Sequence, residues 1–397
     1  NLYTKYEIFN KTINPNKNLK VGLNKIVTNL DWNEKYYQNL NNLINFSYDG
    51  QNEITLKSKR LSKYKINDNL LFHDNKVITS DLNGNIIVYS IDQKKIIINY
   101  NFYKKKYKNI SKKLNIISEN KIIYVSDNIG YLYALNIENR NLLWAKNYKI
   151  PFRSNLKIIK KQIVLADTNN DIYFINKENG ERIKTIPTEE SALKNQFINS
   201  FAFDSKSLLF LNTYGSLYSI SKNGRIRWFL NLNPSSELSE NSLFFSNTLI
   251  LHNDKIIVST DPYLYIFNSI NGLQEHKITI PSKIKPIISG NSLFLITKNN
   301  LFVCLNINNG KINYSLDLNQ KIADFLNSKK KTISVKSLAI VNNNLIIFTD
   351  NSYVIKFTPN GNLIDIRKLP DKLNSSPIFV SNQIYFTNFK NKLVSIN

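Results

Sequence analysis

Three histidines, one cysteine and scattered carboxylates are what this 397-residue chain offers for chemistry, and their spacing supports little of it. His73 stands in "HDNK" and His252 in "HNDK", both at turns leading into an apolar run, and His276 stands alone. A repeated turn context argues for a backbone role, and the Cys/His spacing of a zinc site is missing. Cys304 has no second cysteine to pair with, and it alternates within an apolar strand as a small filler. Neither a G-x-S-x-G elbow nor a Walker-type glycine loop is present. What remains are residue types that bind. In "IPFR", Pro151 restricts the loop that carries Phe152 and Arg153; by itself the stretch reads as an ordinary connecting loop, although an aromatic beside an arginine is also the composition that dominates interface energetics. Trp144 in "NLLWAKNY" and Trp228 in "GRIRWFLNL" fall at equivalent places of a recurring pattern, which reads as packing between neighbouring units.

The elements that must hold these residues repeat. The stretch "GYLYALNIENRNLLWAKNY" at 130–148 reads as strand, polar turn, strand, and one such hairpin cannot bury its apolar face alone. Related strands follow Gly84, Asn170, Gly215, Pro262, Asn300, Ser352 and Asn391, giving eight anchors at a mean interval of about 44 residues. Three residues before each anchor sits a small polar or acidic residue, from Asp81, Asp127 and Asp167 to Asn388, at the end of a short apolar run. Most anchor strands then turn through Asn-Gly, as at Asn179-Gly180 and Asn223-Gly224, a pair suited to the positive φ of tight hairpins. That interval predicts an all-β fold, an eight-bladed β-propeller of four-stranded antiparallel blades. Gly84, Gly130 and Gly215, with the two tryptophans, are its structural markers. The last repeat stops after its anchor strand, so "EITLKSKRL" at 53–61 is expected to supply the missing outer strand and close the ring.

Residues 51–397 are accordingly one propeller domain, and residues 1–50 an N-terminal extension, irregular or peripheral, that wraps a blade or stays partly mobile. A start at Asn rather than Met suggests removal of a leader. The formal charge of +24 is spread along the whole chain with heavy Asn, Ile and Tyr usage, so it does not by itself indicate a nucleic-acid partner. The densest run, "YKKKYKNISKK" at 103–113, reads as a solvated loop, with a phosphate-binding patch as the alternative. The complete absence of Met has no physical account.

The pattern "G-x-L-Y-A-L-N … L-L-W" at 130–144, recurring as "GSLYSISKNGRIRW" at 215–228 and "DIYFINKENGERI" at 171–183, resembles the repeat of quinoprotein-like eight-bladed propellers. These include the pyrroloquinoline-quinone alcohol dehydrogenases and the BamB outer-membrane assembly factors. The chain is more similar to the second group: it has one cysteine where the enzymes use an adjacent-cysteine disulfide, and it has no evident calcium set. That resemblance implies a non-catalytic scaffold without cofactor or metal, exported to the periplasmic face of the outer membrane. Its implied partners are the POTRA domains of BamA and the BAM complex, with unfolded outer-membrane proteins as a further candidate. Membrane attachment would come only from a lipid anchor preceding the chain. "NYKIPFRSNL" at 147–156 looks like the family's POTRA-contacting segment, which carries over Pro151, Phe152 as apolar contact and Arg153 as basic contact, on an exposed loop whose replacement leaves folding intact. The family's acidic contacts would fall near Glu237 and Glu240. A quinone-dependent oxidoreductase and a generic interaction propeller are the alternatives.

Overall fold

The small polar residue before each anchor has a definite job. In the computed structural model, which describes residues 7–190, 197–233 and 244–397, Asp127 Oδ1 accepts the amides of Ile129, Gly130 and Tyr131, each at 2.8 Å. Asn212 Oδ1 takes the amides of Tyr214, Gly215 and Ser216 in the same way, and Thr349 Oγ1 takes that of Tyr353 at 2.9 Å. A short acceptor that bonds backbone two to four residues on fixes the turn between the second and third strands of a blade. Blade 5 departs from the rule: its turn is closed by a Thr260 N–H to Tyr263 carbonyl bond of 2.7 Å, with a cis peptide before Pro262.

These turns organise eight sheets into an eight-bladed β-propeller. In chain order the blades span 71–101, 114–147, 157–186, 200–231, 250–278, 287–317, 335–368 and 378–396, and blade 8 takes its fourth strand, Ile54–Arg60, from the N-terminal side. Ile54 lies opposite Ile396 and Arg60 opposite Lys392, so the closing strand is the one expected from the unfinished last repeat. Second and third strands are buried along almost their whole length, as in Lys76–Ser80 and Asn85–Ser90, because both of their faces meet apolar layers. Fourth strands such as Arg182–Ile186 are mostly exposed. A helix, Leu318–Phe325, capped by Asp317 accepting the Gln320 amide at 3.1 Å, follows blade 6 and has no counterpart among the described residues of the other repeats.

The described residues fall into two compact units. One holds blades 1–4 and 8 with residues 28–39, and the other holds blades 5–7 with residues 7–27 and 40–47. Within each unit the same device joins successive blades. The fourth strand carries a one-residue bulge, and the residue just past it reaches the last turn of the next blade. Trp144 Nε1 donates to the Lys177 carbonyl at 3.0 Å, Lys184 Nζ to Gly224 at 2.6 Å, His276 Nε2 to Asn308 at 3.1 Å and the Tyr314 hydroxyl to Pro359 at 2.9 Å. Gly180 shows why that turn is Asn-Gly: its φ is 71°, and a Cβ there would lie 2.5 Å from the Trp144 ring.

The segment before the closing strand follows a regular path. In the five-blade unit, the Asn29 side chain donates to Phe379 O, Trp32 and Phe72 exchange backbone bonds, and Asn33 O accepts from Ser118 N. Lys157 then meets Glu34 and the Gln38 carbonyl, and Asn39 O accepts from Phe203 N. These are the first strands of blades 8, 1, 2, 3 and 4, in that order. In the three-blade unit, Leu40 O accepts from Leu251 N, Asn42 bonds both backbone groups of Ile288, and Asn45–Phe46 pairs in parallel with Ile340 and Val341, again one blade after another. Each first strand has its outer side paired within the blade, and this segment takes up groups along its other edge.

The Lys157–Glu34 pair is a buried charged joint of that path. The Lys157 side chain is 0 % exposed and that of Glu34 10 %; burial pulls the lysine pKa down, while the carboxylate beside it holds the ammonium. Glu34→Ala should lower stability by about 3 kcal/mol by leaving a buried ammonium without its counter-charge. The double change Glu34→Leu with Lys157→Met should restore most of that loss, because no uncompensated charge remains. Urea unfolding of both variants checks this, and equal losses in the two would show that the pair itself is not what the segment relies on.

Candidate interaction site

The loop carrying Pro151, Phe152 and Arg153 is stitched to two blades through its backbone. Tyr148 N donates to Gly130 O at 2.8 Å and Phe152 N to Asp127 O at 3.0 Å, both on the blade 2 turn. Arg153 N donates to Ala166 O, and Thr168 N to Pro151 O, each at 2.9 Å, on the blade 3 side. Gly130 makes this approach possible: its φ is 105°, and a Cβ would sit 2.9 Å from the Ile150 carbonyl oxygen. Ser154 Oγ accepts the Ala166 amide at 2.7 Å, and Arg153 O accepts from Asn199 N at 3.0 Å, which extends the stitching toward blade 4.

Phe152 is not on an exposed face. It is 3 % exposed and belongs to the core layer between blades 2 and 3, with Trp144, Leu156, Leu165 and Tyr173. Its ring stands edge-on to Tyr148 at 5.4 Å and to Tyr173 at 5.8 Å, the arrangement aromatic quadrupoles favour. The expectation of an exposed apolar contact whose replacement leaves folding intact is therefore corrected: the backbone bonds of residues 148–153 turn this ring inward. Pro151 and Arg153 are half-buried, and partial burial works against the charged guanidinium, lowering its pKa. Glu237 and Glu240 lie outside the described residues. Trp144 is buried in the same layer as Phe152, and Trp228 is half-buried on the corresponding strand of blade 4.

Side chains that could do chemistry are used for structure. His73 Nδ1 lies 3.0 Å from Asp31, and buried His252 makes a 2.9 Å bond to the Gly290 carbonyl. Burial pushes the Cys304 thiol up to about 11, which removes its nucleophilic form near neutral pH. Among the described residues no three His, Cys, Asp or Glu side chains gather into a group that could hold a metal ion. Sequence reading missed the exposed apolar side chains on neighbouring fourth strands: Ile183 at 53 %, Ile226 at 46 % and Phe229 at 57 %. Alternation marks them weakly: Ile183 stands between Arg182 and Lys184, but Ile226 and Phe229 share their strand with Trp228 and Leu230.

A family model described as outer membrane protein assembly factor BamB matches residues 71–316, more than half of the chain. The chain belongs to the BamB family. The match runs through blades 1–6, including the stitched loop at 147–153. An uncharacterized protein of Rickettsia prowazekii (strain Madrid E) is 26 % identical over 337 residues, covering 79 % of this chain and 75 % of its own. Among solved structures, BamB from Moraxella catarrhalis superposes with a TM-score of 0.67 at 11 % identity, covering 86 % of this chain and all of its own. The quinohemoprotein alcohol dehydrogenase of Comamonas testosteroni reaches a TM-score of 0.69 at 9 % identity, covering 92 % and 80 % of the two chains. Likeness at such identities shows the propeller and nothing finer.

Proposed function

We propose that this protein is a non-catalytic scaffold of the outer-membrane β-barrel assembly machinery, working at the periplasmic face of the outer membrane and binding the POTRA domains of the BamA barrel protein. The match of blades 1–6 to the BamB family carries this reading. Support comes from the chemistry of the interior, where the candidate acids, histidines and thiol are committed to turns, joints and packing. In this scheme the buried Phe152 props the loop and Arg153 presents a cation at its half-exposed side. A guanidinium offers a planar set of donors to a carboxylate or carbonyl edge on the partner. The fourth strands with Ile183, Ile226 and Phe229 offer apolar edges along which an extended, unfolded barrel segment adds as a strand.

The test is a calorimetric titration against the POTRA domains of the cognate BamA. Wild type should bind, and Arg153→Glu should weaken binding by about 1–3 kcal/mol with an unchanged circular dichroism spectrum. Absence of wild-type binding overturns the scaffold assignment. Wild-type affinity in a folded Arg153→Glu variant overturns only the placement of the contact.

A further inference from the structure

Three loops at the same end of blades 8, 1 and 2 are tied edge to edge. Leu61 N donates to Asn391 O, Leu82 N to Lys65 O and Lys112 N to Leu82 O, each at 2.9 Å, and Asn391 Nδ2 donates to Tyr64 O at 2.7 Å. The lysine-rich run 102–113 is therefore part of a built rim, and its own aromatic side chains brace it from beneath. Phe102 stacks on Tyr133 with 4.9 Å between ring centroids, the Tyr103 hydroxyl donates to Asp127 at 2.5 Å, and the Tyr107 hydroxyl bonds that of Tyr131 at 3.1 Å. Lys112 is buried and donates to the Tyr107 carbonyl at 2.5 Å, which fixes the inner side of the loop.

What points outward is cationic. Lys63, Lys65, Lys104, Lys105, Lys108 and Lys113 are all exposed, and none is ion-paired with a described carboxylate. The acids beneath the rim are already engaged: Asp81 by the Ser62 hydroxyl and the Asn85 side chain, Asp127 by Tyr103, and Asp371 by Lys57. Apolar groups stand among these cations, with Phe389 62 % exposed, Ile110 43 % and Tyr64 37 %. Dispersed lysines account for the net charge of the chain, but they do not account for unpaired cations and exposed apolar side chains on one braced rim. A soluble polyanion would engage the lysines and leave Phe389 and Ile110 in water. A lipid surface takes both, since headgroup phosphates receive the ammonium groups and the interfacial region receives the apolar tips.

We propose that this rim docks on a bilayer rich in anionic phospholipid, so that the chain itself supplies a membrane contact. This revises the reading of 103–113 as merely solvated and adds to the scaffold role without depending on it. The test is co-sedimentation of the whole chain with vesicles of phosphatidylcholine alone or mixed with phosphatidylglycerol. Wild type should partition onto the mixed vesicles and not onto phosphatidylcholine alone, with binding that weakens as salt rises. The triple change Lys104→Glu, Lys105→Glu and Lys108→Glu should reduce partitioning by tenfold or more, on the order expected for three phosphate-facing lysines. The triple change Lys94→Glu, Lys95→Glu and Lys160→Glu alters net charge equally at exposed positions elsewhere and should leave most of the binding. Phe389→Ser should weaken partitioning onto mixed vesicles with no change in charge. Equal loss in both triple variants, no preference for the anionic vesicles, or equal and competing binding of a single-stranded oligonucleotide would each overturn the proposal. POTRA binding, measured separately, is unaffected by any of these outcomes.

Discussion

Deletion of residues 53–61 should destabilise the protein by roughly 5 kcal/mol or more, the loss expected for on the order of five cross-strand hydrogen bonds at about 1 kcal/mol each plus an opened sheet edge. The strand they contain has little core of its own: in Ile54–Arg60 only Ser58 is buried. Its contribution is pairing, through the register from Ile54–Ile396 to Arg60–Lys392 and through Ser58 Oγ accepting the Leu393 amide at 2.8 Å. Without it, Lys392–Ile396 becomes a free edge whose other side is already paired. A thermal melt that matches wild type would show that closure contributes nothing to stability. Ser58→Pro is a milder version that keeps the chain length and disturbs the same ladder.

Phe152→Ala should cost about 3–5 kcal/mol, the range for removing a fully buried aromatic side chain. The ring is enclosed by Trp144, Leu156, Leu165 and Tyr173, and its edge contacts with Tyr148 and Tyr173 are lost with it. Because backbone bonds to Asp127, Ala166 and Thr168 hold residues 151–153 on both sides, the loop cannot collapse into the space left behind. Denaturant midpoints of Phe152→Ala and Phe152→Leu would read the effect, with the leucine variant recovering a large part of it. A Phe152→Ala midpoint equal to wild type would contradict the burial described. Any fall in partner binding by Phe152→Ala must accordingly be measured on the folded fraction, and Arg153→Glu is the cleaner probe of the surface.

The repeat was legible because it is written in local chemistry. Asp127, Asn212 and Thr349 act on amides two to four residues away, and Asn179-Gly180 sets a turn with its own dihedral angles, so a reader of the sequence meets cause and effect side by side. The closing strand at 54–60 could be found because the last repeat lacked a partner. The run from Asn29 to Phe46 could not be read in this way. It has neither alternation nor period, since its successive stretches answer to different blades, as Asn42 does to Ile288, 246 residues away. Phe152 misled for a related reason: in "IPFR" nothing local distinguishes a ring that faces solvent from one that faces Tyr173, and its direction is set by the amides of Phe152 and Arg153 bonding to Asp127 and Ala166.

The path of residues 29–46 also dictates an order of events. During synthesis these residues emerge before every strand whose edge they occupy. Asn45 waits for Asn343, 298 residues on, and Ser58 for Leu393, 335 residues on. Separations of this size make the closing contacts the slowest to form, since the chain between them must first be ordered. Blades can assemble as soon as their own four strands are available, but the earliest part of the chain cannot finish folding until the last has been made. Until those distant strands are made, residues 29–46 and 54–60 lack their edge partners and the sheet edges they cover stay open, the condition in which a chain most needs protection from its neighbours.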